Sequence, residues 1–171
     1  MSSQRHATVV GLGSVLPERI VSNEWFESFI DTSDEWIRER TGIRERHYAP
    51  DGQTTSGLAT DATRRALETA AIAPEQIDLL VCATLTGDTP IPSTAVWVQR
   101  KLGITAPAFD VNAACAGFSY ALSTATAFIE SGQAETVVVM GAEILSRVMN
   151  FHDRSTCVLF GDGAGAVVLR R

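Results

Sequence analysis

The sequence predicts a layered α/β protein, because short apolar runs typical of strands alternate along it with helix-forming segments. Residues 77–84 form a continuous apolar run, which is typical of a strand covered on both faces. The 171 residues suffice for one domain with a sizeable core and would be crowded as two. We therefore expect one domain in which helices cover a sheet.

The order of elements follows from periodicity and from turn residues. Strands are expected at residues 8–15, 77–84, 108–111, 136–141, 157–160 and 164–169. Helices are expected at residues 22–29, 35–41, 56–71, 93–103 and 116–130. Thr32 and Glu35 have capping-box spacing before the second helix, and Gly42 is suited to end it. The last helix is poor in charge and rich in Ala, Ser and Thr, so we expect it to be buried nearly all round.

Composition excludes several classes of function. Acidic residues outnumber basic residues by 20 to 14, so no broad positive surface invites nucleic acid or an anionic membrane. No apolar stretch approaches the length of a membrane span, and no apolar signal core follows Met1. The expected location is therefore the cytoplasm. The three cysteines are an odd number without metal-type spacing, which indicates neither a disulfide framework nor a metal site.

Two glycine-rich stretches follow predicted strands and could be mistaken for dinucleotide-binding loops. A phosphate-binding loop needs its glycines to open a helix whose N-terminus holds the phosphate. Gly11 and Gly13 precede no helix pattern, and residues 161–165 lead into the strand-like run Ala-Val-Val-Leu. We interpret residues 161–165 as a tight turn between two strands.

Cys115 lies where a predicted strand turns into a predicted helix. Free N–H groups and the positive end of the helix dipole at that point favour the thiolate over the thiol. Gly117 and the flanking alanines leave the sulfur uncrowded, so that an acyl group could approach it. The alternative interpretation is a small buried apolar residue. Cys82 and Cys157 lie inside apolar, strand-like runs and are expected in the core.

Trp36 and Arg40 are four residues apart on a predicted helix and therefore share one face. An indole offers a plane on which adenine can stack, and a guanidinium offers a fork for phosphate. The pair would suit a nucleotide-bearing thioester such as an acyl-CoA. Spacing alone favours the alternative, in which Trp36 belongs to the core and Arg40 is solvated.

Three segments resemble β-ketoacyl-acyl-carrier-protein synthase III, the thiolase-like condensing enzyme that starts fatty-acid synthesis. They are residues 32–47 (TSDEWIRERTGIRERH), 109–118 (FDVNAACAGF) and 160–166 (FGDGAGA). The resemblance implies a thiolase-like α/β fold, a mixed five-stranded sheet with helices on both faces, which is one half of a duplicated αβαβα architecture. It also implies that residues 1–171 are the N-terminal domain of such an enzyme and that the C-terminal domain is absent.

The resemblance assigns a role to individual residues. Cys115 would accept the acyl group of acyl-CoA, which is then condensed with malonyl-acyl carrier protein with loss of carbon dioxide. The residues matching CoA contacts are Thr32, Trp36, Arg40 and Arg154. Ile91 falls where some members have an aromatic residue that walls the acyl pocket of the partner in a homodimer; a smaller residue there would permit a longer or branched primer. No cofactor is implied, because acyl-CoA is a substrate.

One departure from the family pattern leaves alternatives open. Members pair the cysteine with a histidine and an asparagine of the C-terminal half, which stabilise the enolate formed on decarboxylation. His6, His47 and His152 occupy no matching motif. The chain is therefore expected to be an acyltransferase of the synthase III type that is incomplete alone. The alternatives are a non-catalytic half, truncated or split and needing a C-terminal partner, and a related acyltransferase that uses Cys115 without condensation.

Overall fold

The computed structural model describes residues 5–171 and places most of its strands in one mixed five-stranded sheet, as predicted. The strands of this sheet are β1 (Thr8–Val15), β4 (Leu79–Ala83), β5 (Ala108–Val111), β6 (Thr136–Ile144) and β7 (Asp162–Arg170). Their order is β1-β7-β6-β4-β5, and β6, β4 and β5 are parallel to one another, whereas β7 is antiparallel to both β1 and β6. A separate two-stranded antiparallel sheet pairs β2 (Arg19–Ser22) with β3 (Glu45–Tyr48).

The helices are α1 (Asn23–Glu27), α2 (Asp34–Thr41), α3 (Thr55–Ala70), α4 (Thr94–Leu102), α5 (Gly117–Glu130) and α6 (Arg154–Cys157), with short 3₁₀ turns at Pro74–Gln76, Ala114–Ala116 and Leu145–Arg147. Three of them, α3, α4 and α5, cover the two faces of the five-stranded sheet. Helices α3 and α4 pack on one face, where Leu80 and Cys82 of β4 point. Helix α5 packs on the other, against Leu79 and Val81. The alternation of these four buried residues confirms that β4 is covered on both faces.

Helix α5 is buried along one stripe, and the prediction of burial nearly all round was wrong for this chain. Its fully buried positions are Gly117, Ala121, Ala125 and Ile129, four residues apart, which face the sheet. The opposite side lies in solvent, with Tyr120 59% exposed. A single sheet can bury only one stripe of a helix, so small uncharged residues elsewhere on α5 remain uncovered.

The glycines of β1 allow α3 to pack unusually close to the sheet. A methyl group on Gly11 would collide with the backbone of Ala66, and one on Gly13 would collide with the backbone of Ala62. These glycines therefore allow close packing of the helix on the strand. This role agrees with the interpretation that Gly11 and Gly13 do not form a nucleotide-binding loop.

Two local predictions at the C-terminal end were wrong. Residues 157–160 are not a strand: Cys157 is the last residue of α6, whose first turn is capped by Asp153 Oδ1 accepting a hydrogen bond from Ser155 N. Residues 161–165 are not a turn, because β7 begins at Asp162 and Gly165 pairs with both Ser14 and Gly141. Pairing on both sides of β7 outweighs the weak strand propensity of glycine.

Candidate functional site

The candidate site lies at the carboxyl edge of the three parallel strands. Because β4, β5 and β6 run in the same direction, their last residues, Ala83, Val111 and Ile144, lie at one edge of the sheet. The segments that follow these strands carry Ile91, Cys115 and Arg154, in that order. In open α/β sheets this edge is where ligands bind.

Cys115 lies in a sharp turn between β5 and α5, and we call residues 112–117 the elbow. The residue occupies the centre of the 3₁₀ turn Ala114–Ala116, directly before α5 begins at Gly117, so its predicted position at a helix start is confirmed. Its side chain is exposed rather than buried. Ala114 has a φ of 46°, a left-handed conformation that costs an L-residue about 1–2 kcal/mol. Such strain concentrates where surrounding structure must present one side chain in a fixed direction.

The other two cysteines are inaccessible, as expected of core residues. Cys82 and Cys157 have no exposed surface, and burial raises the pKa of both thiols. Cys82 lies in β4 as predicted, whereas Cys157 lies in α6 rather than in a strand. Cys115 is therefore the one cysteine of the three that solvent and a substrate can reach.

Trp36, Arg40 and Arg154 come together, and we call these three residues the clamp. The guanidinium carbons of Arg40 and Arg154 lie 4.4 Å and 4.7 Å from the centroid of the Trp36 ring. Trp36 is half-buried, while both arginines are exposed. Arg154 Nη1 donates a hydrogen bond of 2.6 Å to the carbonyl oxygen of Asp31, which fixes α6 beside the start of α2. Two positive groups on an accessible indole can bind an aromatic ring that carries phosphates.

The start of α2 differs from the predicted capping box. The N-cap is Ser33, whose hydroxyl accepts a hydrogen bond of 3.1 Å from Trp36 N, so Thr32 precedes the cap and does not pair with Glu35. The Thr32 hydroxyl is buried and has no hydrogen-bond partner in the described part of the chain. Gly42 ends the helix in a left-handed conformation, as predicted.

Two carboxylates that the sequence did not point to anchor the loop bearing Ile91. Glu143 of β6 accepts hydrogen bonds from Leu85 N (2.8 Å) and Thr86 N (3.0 Å) at the beginning of the loop. At its end, Asp110 of β5 accepts from the backbone N–H groups of Thr94 (2.6 Å) and Ala95 (2.8 Å). Ile91 lies between these anchors and is 88% exposed. The loop is thus fixed at both ends while Ile91 projects from the surface.

None of the three histidines belongs to the elbow. His47 Nδ1 forms a hydrogen bond of 2.5 Å with the carbonyl oxygen of Pro17, and His6 and His152 are exposed. Within residues 5–171, His, Cys, Asp and Glu side chains form no group suited to a metal ion. No helix in the same range has the length and apolar character needed to span a membrane.

Comparisons with known proteins give matches along nearly the whole chain. The model of the family described as 3-oxoacyl-[acyl-carrier-protein (ACP)] synthase III matches residues 109–171. The chain is 54% identical over 171 residues to a β-ketoacyl-[acyl-carrier-protein] synthase III of Xanthomonas campestris, covering 99% of this chain and 53% of the relative. It is 60% identical over 164 residues to the synthase III of Ruegeria pomeroyi, covering 95% of this chain and 51% of that protein.

Solved structures give the same correspondence. The crystal structure of 3-oxoacyl-[acyl-carrier-protein] synthase III from Aquifex aeolicus superposes with a TM-score of 0.94 at 50% identity, over 96% of this chain and 54% of that one. The priming β-ketosynthase of the R1128 polyketide pathway also has a TM-score of 0.94, at 42% identity, over 99% of this chain and 51% of its own length. The chain thus spans about half the length of the relatives it matches.

Proposed function

We propose that this chain, which corresponds in sequence and fold to the N-terminal half of β-ketoacyl-acyl-carrier-protein synthase III, carries the acyl-accepting site of such an enzyme. In this role Cys115 takes an acyl group from acyl-CoA. The assembled enzyme then condenses that group with malonyl-acyl carrier protein to begin a fatty-acid chain. The observation that carries the proposal is the single exposed cysteine on a strained elbow at the carboxyl edge of the parallel strands.

The acyl-transfer step needs a thiolate and an open approach. The Cys115 thiolate attacks the thioester carbonyl carbon, the new carbon–sulfur bond forms, and the bond to the CoA sulfur breaks. CoA leaves as a thiolate and takes up a proton. The small residues Ala114, Ala116 and Gly117 leave room for the acyl group.

The clamp is proposed to hold the nucleotide part of acyl-CoA. Trp36 offers its indole for adenine stacking, with Arg154 on the other side of the base, and Arg40 offers a charge for phosphate. The Thr32 hydroxyl is buried and has no hydrogen-bond partner among residues 5–171, and we propose that the ligand supplies one. These four residues stand on α2, on α6 and on the segment before α2.

Condensation is proposed to require more than this chain. The enolate formed on decarboxylation needs hydrogen-bond donors, and removing one such donor typically costs about 10²–10³ in rate. None of the three histidines belongs to the elbow, and the Nδ1 atom of His47 is hydrogen-bonded to Pro17 O, so we assign this task to none of them. We therefore propose that residues 1–171 act with the second half that the relatives possess. The uncovered side of α5, where Phe118 and Tyr120 are exposed, supports such a companion.

Ile91 is proposed to wall the acyl pocket of a partner subunit in a homodimer. A side chain 88% exposed on a firmly anchored loop contributes little to its own domain and is free to pack elsewhere. The similarity to a polyketide priming enzyme makes polyketide initiation a second candidate pathway. The synthase III relatives have higher identity, which favours fatty-acid initiation.

The test is acylation followed by intact-mass measurement. The purified chain is incubated with acetyl-CoA, and we expect a slowly forming acetyl adduct that Cys115→Ala abolishes and Cys82→Ala retains. Malonyl-acyl carrier protein is then added with and without a C-terminal half from a synthase III. Ketoacyl product is expected only when that half is present. An adduct on another residue would overturn the assignment of Cys115, and product from the chain alone would overturn the need for a companion.

A further inference from the structure

Arg46 is a buried cation that forms no ion pair within residues 5–171. It lies on β3 and is only 6% exposed. Its guanidinium donates hydrogen bonds to Val21 O (3.3 Å), Asn23 Oδ1 (2.8 Å) and Val158 O (2.7 Å). Its Cζ lies 4.6 Å from the centroid of the Phe26 ring. The group is thus bonded to three neutral oxygens on two chain segments that are far apart in the sequence, residues 21–23 and Val158.

The hydrogen bonds of Arg46 continue to the helix that carries Trp36. Asn23 is fully buried, and its Nδ2 donates to Asp34 Oδ1 (2.8 Å) and to Ile43 O (2.8 Å). Asp34 is the first residue of α2, so the relay fixes the beginning of that helix two residues before Trp36. Ile43 follows the residue that caps its end. Asn23 therefore contacts both ends of α2.

The other branch of Arg46 reaches the helix that carries Arg154. Val158 caps the C-terminal end of α6, and α6 begins with Arg154. A close approach makes this contact possible: a methyl group on Gly161 would lie 3.0 Å from Arg46 Cβ and 3.2 Å from the carbonyl oxygen of His47. One side chain thus links α2 and α6, the two helices that supply the clamp.

A gain in folding stability would not by itself explain why a charged residue occupies the buried position 46. Burial without a counter-ion disfavours the guanidinium, which lowers the pKa of Arg46. A packed apolar side chain of similar volume often stabilises a core as well as a buried charge does. An apolar side chain could not, however, hold Asn23 and Val158 at a fixed separation. The planar guanidinium, with donors pointing in several directions, can do so.

We propose that Arg46 is a positioning residue for nucleotide binding. Through Asn23 and Asp34 on one side and Val158 on the other, it sets the spacing between the Trp36 ring and the Arg154 guanidinium. The identity of the nucleotide as CoA rests on the proposed function. The control of spacing rests only on the hydrogen-bond network and is testable without ligand.

The first measurement uses no ligand. Trp25→Phe and Trp97→Phe leave Trp36 as the sole tryptophan, whose quenching by acrylamide reports its accessibility. Arg46→Met in this background is expected to change the Trp36 emission and to raise the acrylamide quenching constant, because Arg154 no longer stays over the ring. Unchanged emission and quenching would overturn the proposal.

The second measurement is CoA affinity by calorimetry. Arg46→Met is expected to weaken CoA binding about tenfold, within the range typical of coupling between sites. Arg46→Lys keeps the charge but cannot bond both Asn23 and Val158, so it is expected to weaken binding similarly with a smaller loss of melting temperature. If Arg46→Met does not fold, Arg46→Lys is used for both the Trp36 quenching and the CoA affinity measurements.

Two controls separate positioning from general destabilisation. Arg65→Met removes an arginine that likewise joins two elements, with Nη1 donating to Ser14 O (2.7 Å), but its bond ties α3 to β1. Val98→Ala removes a buried side chain from the core on the α4 side of the sheet. Both are expected to lower the melting temperature and to leave CoA affinity unchanged. Equal weakening of CoA binding by either control would overturn the specific role of Arg46.

A double-mutant cycle completes the test. Once Trp36→Ala has removed the stacking surface, adding Arg46→Met is expected to cause little further loss of CoA affinity, because both changes act on the same contact. Additive losses would overturn the proposal. If the wild-type chain bound no CoA while Arg46→Met still altered the Trp36 environment, the spacing role would stand and the proposed function would fail.

Discussion

The elbow and the clamp are built in opposite ways. The elbow is one continuous segment, and its shape follows from the backbone of residues 112–117 between a strand and a helix. The clamp is assembled from α2 and α6, which are far apart in the chain and are joined by Arg46 and Asn23. A reactive group can therefore be located by local sequence, whereas a ligand-binding surface made of separate elements depends on buried polar contacts between them.

Alkylation rates should give the largest difference between the elbow and the core. Cys115 is exposed, whereas Cys82 and Cys157 have no exposed surface and can react only when the structure opens. Opening that costs about 4 kcal/mol or more slows labelling by about 10³ or more. We expect iodoacetamide to modify Cys115 faster than Cys82 or Cys157 by at least that factor, as measured by peptide mapping. Faster labelling of either buried cysteine in the folded protein would refute the assignment.

Trp36→Ala should have the next largest effect, confined to the clamp. Loss of the stacking surface is expected to weaken CoA binding by about 1–3 kcal/mol, by analogy with bases stacked on aromatic side chains. The melting temperature should fall less than for Phe26→Ala, a core deletion expected to cost about 3–5 kcal/mol.

Trp97→Ala is the matched control for Trp36→Ala. Trp97 is also half-buried and also has an arginine nearby, with Arg100 Cζ 5.9 Å from its ring centroid, but it stands on α4. The substitution Trp97→Ala should therefore leave CoA affinity unchanged. A large loss of stability with unaltered CoA affinity for Trp36→Ala would make Trp36 a core residue instead.

The effect of backbone strain in the elbow can be compared with the effect of similar strain at a second alanine outside it. Ala114 and Ala71 both have positive φ, 46° and 53°, but Ala71 ends α3. A β-branched residue fits such a conformation poorly, so Ala114→Val and Ala71→Val should each lose about 1–3 kcal/mol of stability in urea denaturation. Only Ala114→Val is expected to slow the alkylation of Cys115. Equal slowing by Ala71→Val would indicate that the elbow geometry has no special effect on the thiol.

The elbow could be predicted from sequence because its signals are local. Apolar runs, helix formers and the small residues around Cys115 act within a few residues, and they placed the central strands, α3, α4 and α5. Residues 161–165 were misassigned because glycines typical of turns can lie in a strand paired on both sides. Local sequence does not show which neighbours a strand will have.

The clamp was only partly predictable. The spacing of Trp36 and Arg40 indicated a shared helix face, but Arg154 followed only from family resemblance. Asn23 and Arg46 gave no signal, because their partners lie up to 112 positions away. The two-stranded sheet of β2 and β3 was missed for the same reason, since α1 and α2 separate its strands. Contacts of this kind are chosen by tertiary packing rather than by local propensity.

The smallest expected effect concerns Tyr48, which is buried in the core beneath the clamp and is distant in sequence from the elbow. Burial raises the pKa of its phenol from 10.0 to about 12, so the folded state favours the neutral form. The corresponding stability is fully present below pH 10 and is lost as the pH rises through about 12, because the unfolded chain ionises first. At pH 10.5 the loss of folding stability is about 0.8 kcal/mol.

The test compares the wild type with Tyr48→Phe. The Tyr48 hydroxyl has no hydrogen-bond partner in the described residues, so Tyr48→Phe should change stability little at pH 8. Urea denaturation at pH 8 and pH 10.5 should therefore give a shallower alkaline decline for Tyr48→Phe than for the wild type, by about that amount. Identical declines would mean that Tyr48 ionises as readily in the folded protein as in the unfolded chain, and that burial under the clamp does not protect its hydroxyl from water.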